Sequence, residues 1–191
     1  MTDETKTRRR STAKHAAIIQ AAVDVIAEIG YSAATIERIA ATAGVGKQTI
    51  YRWWPSKPAL YVEVYTSLVG TVAPPSGIQH CTRELTRFLT ALFKTYQRTR
   101  AGLILQGLLG DMASDPVAAD AVKNGLMLQR APVLLDAIQQ GCASGELDAS
   151  ISPQERANLI VALVWQQTLL DPAKLNAPFA RRIVRLATAS T

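Results

Sequence analysis

The sequence predicts an all-α protein, and three observations carry that prediction. Alanine is the commonest residue, with 30 copies in 191 positions, while aromatic residues make up only 6%. Alanine is the best helix former and a poor strand former. Apolar residues recur at steps of three and four in segment after segment, the period of a helix with one buried face. Prolines, glycines and short polar caps divide these segments into about nine helices.

Met1–Thr12 is polar, carries the run Arg8-Arg9-Arg10, and is expected to be a basic N-terminal arm. A first helix follows over about Ala13–Ile29, with Ile18, Ala22, Val25, Ile26 and Ile29 on one face. Gly30 suits the left-handed position that closes a helix. Thr35 is the natural N-cap of a short helix over Ile36–Ala43, which turns Ile36, Ile39, Ala40 and Ala43 inward. Gly44-Val45-Gly46 breaks it, and a third helix covers Lys47 to about Trp53. Ser56-Lys57-Pro58 opens a fourth, since proline is tolerated in a first turn, and Leu60, Val64 and Leu68 mark its inner face. Val72–Gly77, with Pro74-Pro75, separates an N-terminal domain of residues 13–71 from a C-terminal one of residues 78–191.

In the larger domain, Leu85, Phe88, Leu89, Leu92, Phe93 and Tyr96 mark a helix of about His80–Thr99. Ile104, Leu105, Leu108, Leu109 and Met112 mark the next, and Asp115-Pro116 caps another. That segment runs to Ala143 with an interruption near Gly125 or Pro132. Ser152-Pro153-Gln154-Glu155 has capping-box spacing and starts a helix that ends near Leu170 before Asp171-Pro172. The last helix, from about Pro178, sets Phe179, Ile183 and Leu186 on one side.

Charge and rare residues narrow the function. The net charge is +6, and the first 60 residues hold nine basic groups against five acidic ones. Positive charge gathered at the front points to an anionic partner there. Cys81 and Cys142 are too few for a disulfide framework or a thiolate zinc site, and His15 and His80 have no metal-ligand spacing. No glycine-rich phosphate loop, G-x-S-x-G elbow or H-E-x-x-H occurs, so neither an enzyme nor a metal or cofactor is expected. No signal peptide is visible, and the longest unbroken apolar run, Leu159–Trp165, falls short of the ~17–25 residues of a spanning helix. A soluble, cytoplasmic protein without membrane contact is the expectation.

Thr35–Trp53 is the most informative stretch. Two short helices joined by a glycine turn and stacked on a longer one make a helix-turn-helix, with Ile39, Val45 and Ile50 as its small core. The second helix presents Lys47, Gln48, Thr49, Tyr51 and Arg52 outward, a face that fits a DNA major groove. Gln48 can read adenine and Lys47 or Arg52 guanine, while Thr49, Tyr51 and Lys57 suit phosphate oxygens. Gly30-Tyr31, Thr35-Ile36, Ile39-Ala40, Ala43-Gly44-Val45, Tyr51 and Ser56-Lys57 together closely resemble the tetracycline-repressor (TetR) family over about residues 12–65. Trp53-Trp54 departs from the smaller aromatic or His followed by Phe that is more usual there. Over residues 78–191 the likeness is architectural. The resemblance implies a homodimeric transcription factor, usually a repressor of palindromic operator DNA released by a small molecule. Thr35, Lys47, Gln48, Thr49, Tyr51, Arg52 and Lys57 are the expected DNA-binding positions.

Other features keep two readings. Arg8–Arg10 either lies along the minor groove and phosphates or is a solvated tail. Leu159–Trp165 wraps apolar residues round the whole helix, which requires a second apolar surface. That surface is read as a dimer interface built from Ile160, Leu163, Val164, Phe179 and Ile183, against the bland alternative of a central core helix. Gly107 and Gly110 mark either a close helix crossing or space beside a lipophilic effector, with Phe93, Tyr96, Leu109, Met112 and Trp165 as its lining. Asp111 serves as a cap, meets solvent or touches that ligand. The rival from another class is a helical small-molecule carrier or enzyme with an incidental basic front; specific retention on a short palindrome rejects it.

Overall fold

Ten α-helices, one π turn and one 3₁₀ turn make up the described residues, and no strand occurs among them. The computed structural model describes residues 3–75, 80–127, 132–148 and 150–189, with side chains from Thr12 onward. The helices are α1 (Asp3–Ala33), α2 (Ile36–Thr42), α3 (Lys47–Tyr51), α4 (Lys57–Val69) and α5 (Cys81–Arg98). They continue as α6 (Ala101–Asp111), α7 (Pro116–Val122), α8 (Pro132–Ala143), α9 (Pro153–Leu170) and α10 (Ala177–Ala187).

The first departure from expectation is at the front. The backbone is helical from Asp3, so the segment read as an arm continues α1. Lys and Arg are good helix formers, so the basic stretch continues the helix. The side chains of Arg8–Arg10 lie outside the described residues. Helical dihedrals stop at Gly30, whose φ of 78° is left-handed, and the chain turns there. Ile18, Ala22, Val25 and Ile26 are buried, whereas Ile29, expected beside them, is 39% exposed. Thr12–Ala33 is by length and composition apolar enough to cross a membrane, although polar residues interrupt it and no unbroken apolar run marks it. Its apolar side packs into the core of this domain.

Helix α4 joins the two halves of the chain. Its first turn is capped by Ser56, whose Oγ accepts the Ala59 N–H at 3.2 Å. Leu60 and Val64 are fully buried, as expected, but so is Tyr61, and Val62, Tyr65 and Val69 are buried as well. One thin domain cannot bury both sides of a helix. The second side packs on α6, α7 and α5 of the C-terminal half.

The C-terminal half is held by caps and one buried cation. A π turn over Lys123–Met127 supplies the interruption expected near Gly125, where a Cβ would collide with Val62 of α4. The Ser152–Glu155 capping box forms as predicted, with the Ser152 N–H donating to Glu155 Oε2 at 3.1 Å and the Glu155 N–H to Ser152 Oγ at 3.2 Å. Glu146, distant in sequence, caps α5 by accepting the Cys81 and Thr82 N–H groups at 2.7 and 3.1 Å. Arg156 is 1% exposed. Its guanidinium donates to the carbonyls of Asp148, Ile151, Ala187 and Ala189 at 2.6–3.3 Å, tying the start of α9 to the end of α10.

Candidate nucleic-acid interface and the cavity behind it

The interface starts from a turn. Gly44 takes a φ of 64°, and the N–H groups of Gly44 and Val45 return to the carbonyls of Ala41 and Ala40. This left-handed closure reverses the chain after α2. Helix α3 then starts at Gly46 without a side-chain cap. Ile39 and Ile50 are fully buried and fix the crossing, with Val45 half-buried beside them.

With Ile50 as the buried pivot, Lys47, Gln48, Tyr51 and Arg52 are exposed on the other side, and Thr49 is half-exposed. Lys47 reaches only a loose surface pair with Glu37 at 3.7 Å, which DNA phosphates can outcompete. Thr35 is exposed and caps α2 by accepting the Arg38 N–H at 3.2 Å.

Lys57, expected at a phosphate, is tied to α1 in this structure. Its Nζ donates to the Tyr31 carbonyl at 2.8 Å and lies 4.4 Å from the centre of the Tyr31 ring. Burial holds the Lys57 pKa below its ordinary value, against the opposing pull of Asp111. Tyr31 is held in turn from the C-terminal half, its hydroxyl donating to Asp111 at 3.0 Å. Burial first, and then the Asp111 charge, drives the Tyr31 pKa well above the ordinary phenol range. A Cβ at Gly107 would collide with the Tyr31 ring, so the close-crossing reading holds at Gly107, while Gly110 has open space.

The Trp53-Trp54 pair, flagged as unusual, has a definite use. Trp54 is 3% exposed, and its indole N–H donates to Glu63 at 2.6 Å. His15 pairs with the other oxygen of Glu63 at 2.8 Å and lies 4.8 and 5.4 Å from the Trp54 and Trp53 rings. This cluster fastens α1 and α4 to the end of α3.

Behind α4 lies a partly open cavity of about 240 Å³. Tyr65 and Val69 of α4, Phe88, Leu92 and Tyr96 of α5, Leu134 of α8, and Val161 and Trp165 of α9 contribute to its walls. Of the five residues expected to line a ligand space, Tyr96 and Trp165 do so. Phe93, Leu109 and Met112 do not: Phe93 is packed against Phe179, Leu109 is buried, and Met112 is packed at the core's edge. The contribution of α4 was missed, although its apolar residues on both sides are visible in the sequence.

The expected dimer residues also divide. Ile160 and Val164 are buried and line this cavity, and Phe179 and Ile183 are core, so these four face inward. Leu163 is half-buried. The outward side of α9 carries Leu159, Leu169 and Leu170 at 40, 47 and 76% exposure, with Leu186 of α10 at 52%. The long apolar run thus turns Ile160 and Val164 to the core and leaves Leu159 exposed.

Among the described residues no group of three or more His, Cys, Asp and Glu could hold a metal. The left-handed glycine turn, the exposed polar helix and the helix stacked behind them define a helix-turn-helix DNA-binding protein. A family model of the bacterial regulatory proteins of the tetR family matches residues 18–64, and one of the tetracyclin repressor-like C-terminal domain matches residues 80–187. The chain belongs to the TetR family and is a transcriptional regulator. It is 30% identical to the Escherichia coli regulator RutR over 89% of this chain and 72% of that one. It is 25% identical to the Bacillus subtilis regulator YdeS over 93% and 89% of the two chains. The structure of Thermus thermophilus FadR with lauroyl-CoA superposes with a TM-score of 0.73 at 18% identity, covering 91% of this chain and 92% of that one.

Proposed function

We propose that the chain is a ligand-responsive homodimeric repressor acting in the cytoplasm on a palindromic operator. The observation that carries this reading is the α3 geometry: Ile50 is fully buried while Lys47, Gln48, Tyr51 and Arg52 face solvent together. Lys47 and Gln48 lead the helix into the major groove and read bases, and Arg52 adds a further donor. Thr35, Thr49 and Tyr51 hold phosphates. Lys57 contributes by anchoring the Tyr31 joint, with its charge felt at the helix start rather than through direct contact.

The exposed leucines of α9 and α10 pair with a second copy, placing two recognition helices about 34–36 Å apart. The cavity accepts a lipophilic effector. FadR of Thermus thermophilus, bound to lauroyl-CoA in its structure, supports a ligand in this fold. An effector that prefers a conformation with misplaced recognition helices releases DNA, by a factor bounded by that preference.

The test is to recover bound fragments from the source genome and repeat binding with pure protein. Gln48→Ala is expected to cost about 1–3 kcal/mol on the true site and to relax one base position. Equal loss on operator and scrambled DNA would remove Gln48 from base reading. Failure to retain any palindrome would favour the carrier reading.

A further inference from the structure

We infer, resting on the ligand-responsive reading above, that the effector is an uncharged, mainly apolar small molecule with one hydroxyl or carbonyl oxygen, received by the Tyr65–Tyr96 hydroxyl pair. Tyr65 and Tyr96 are 7 and 8% exposed, their hydroxyl oxygens lie 2.6 Å apart, and both line the cavity. They are the hydroxyl-bearing side chains among the described residues of its wall, which otherwise is aliphatic and aromatic apart from the Trp165 indole and the Met127 thioether. No Asp, Glu, Lys, Arg or His is among those described wall residues.

Three physical limits follow. A carboxylate or ammonium buried against these residues would find no counter-charge among the described wall, a far larger penalty than burying a neutral hydroxyl. A volume of 240 Å³ exceeds the roughly 150 Å³ that admits benzene and falls below the ~300–1,000 Å³ of drug-sized sites. A guest enclosed in the cavity is therefore a one- or two-ring aromatic or a short branched chain; a coenzyme A thioester is too large to be enclosed, and its phosphates would meet no cation among the described wall residues. A phenol can donate and accept, so either member of the pair can exchange its partner for a ligand oxygen. Tyr65 belongs to α4 and Tyr96 to α5, so that exchange loosens a bond between the helix that carries the DNA-binding half and the effector half.

The experiment is equilibrium dialysis of the full chain with 2-naphthol, 2-naphthoate and naphthalene, alongside operator binding. 2-Naphthol is expected to bind at least tenfold more tightly than 2-naphthoate. Tyr96→Phe and Tyr65→Phe are each expected to weaken 2-naphthol by about 3–10-fold, the loss of one neutral hydrogen bond, and to leave naphthalene unchanged. Unchanged naphthalene shows that the cavity survives the substitution, which a purely structural role for the hydroxyls would not predict. Equal binding of naphthol and naphthoate, no binding of 2-naphthol, or wild-type 2-naphthol affinity in both Phe variants overturns the inference. If lauroyl-CoA releases operator while 2-naphthol does not bind, this inference falls and the ligand-responsive reading stands. If no palindrome is bound at all, the reading beneath it falls.

Discussion

Tyr61 is fully buried against the Tyr31 ring, and its hydroxyl has no hydrogen-bond partner among the described residues. Burial also drives its pKa well above the ordinary phenol range. An unpaired buried hydroxyl costs about 1–3 kcal/mol, so Tyr61→Phe is expected to raise stability by about 1 kcal/mol. A loss of stability in urea titration would show that the hydroxyl is bonded after all. Trp54 is the opposite case. Trp54→Phe removes a donor to a carboxylate and is expected to cost about 1.5–3 kcal/mol, measured the same way. The sequence marked Trp53-Trp54 as a departure but not its purpose, because Glu63 and His15 meet Trp54 only once α1 and α4 are packed. The tie between Lys57 and Tyr31 was hidden for a similar reason: a lysine at a helix start looks free until the Tyr31 carbonyl is placed 2.8 Å away.

Helix identities were legible and helix partners were not. Except at the front of α1, periodicity and caps found the described helices nearly to their ends, since those signals are local: Thr35 before α2, Gly44 after it, the Ser152–Glu155 box before α9. Glu146 illustrates what is not local, capping α5 from more than sixty positions away. Burial there pushes its pKa up, but the Thr82 and Cys81 hydrogen bonds outweigh that and hold it below the usual value of 4.5. A depressed carboxylate adds stability above its unfolded pKa and loses it as pH falls through the folded value. Glu146→Gln is therefore expected to be less stable than wild type at pH 7, with the gap closing below about pH 4.5. A gap that stays constant down to pH 3 in denaturation curves would remove the charge from the capping role.

Which side of α9 faces its own core is decided by its packing on α6, α8 and α10, so the sequence could require two apolar surfaces without sorting their residues. Val164 and Ile160 face inward, and an acid at either would damage folding and cavity alike. Leu159 and Leu170 point outward, so the double variant Leu159→Glu, Leu170→Glu is expected to keep its helical spectrum, sediment as a monomer and lose operator affinity. A dimer that persists would place the contact elsewhere. Arg156 holds the last helix in place for that surface. Arg156→Ala leaves buried carbonyls without donors and is expected to cost at least about 3 kcal/mol, with α10 loosened in hydrogen exchange.

The fit of Tyr31 over Gly107 bears on how such regulators are recombined. The aromatic ring comes from the DNA-binding head, the missing side chain from the effector body, and Asp111 closes the joint by accepting the ring hydroxyl. The halves are therefore mated parts rather than interchangeable cassettes. A head grafted onto another body should stay wired to its ligand only where that body offers a glycine and an acceptor one helical turn apart. A body with alanine at the glycine position would push the head out of alignment, leaving two working halves and no signal between them.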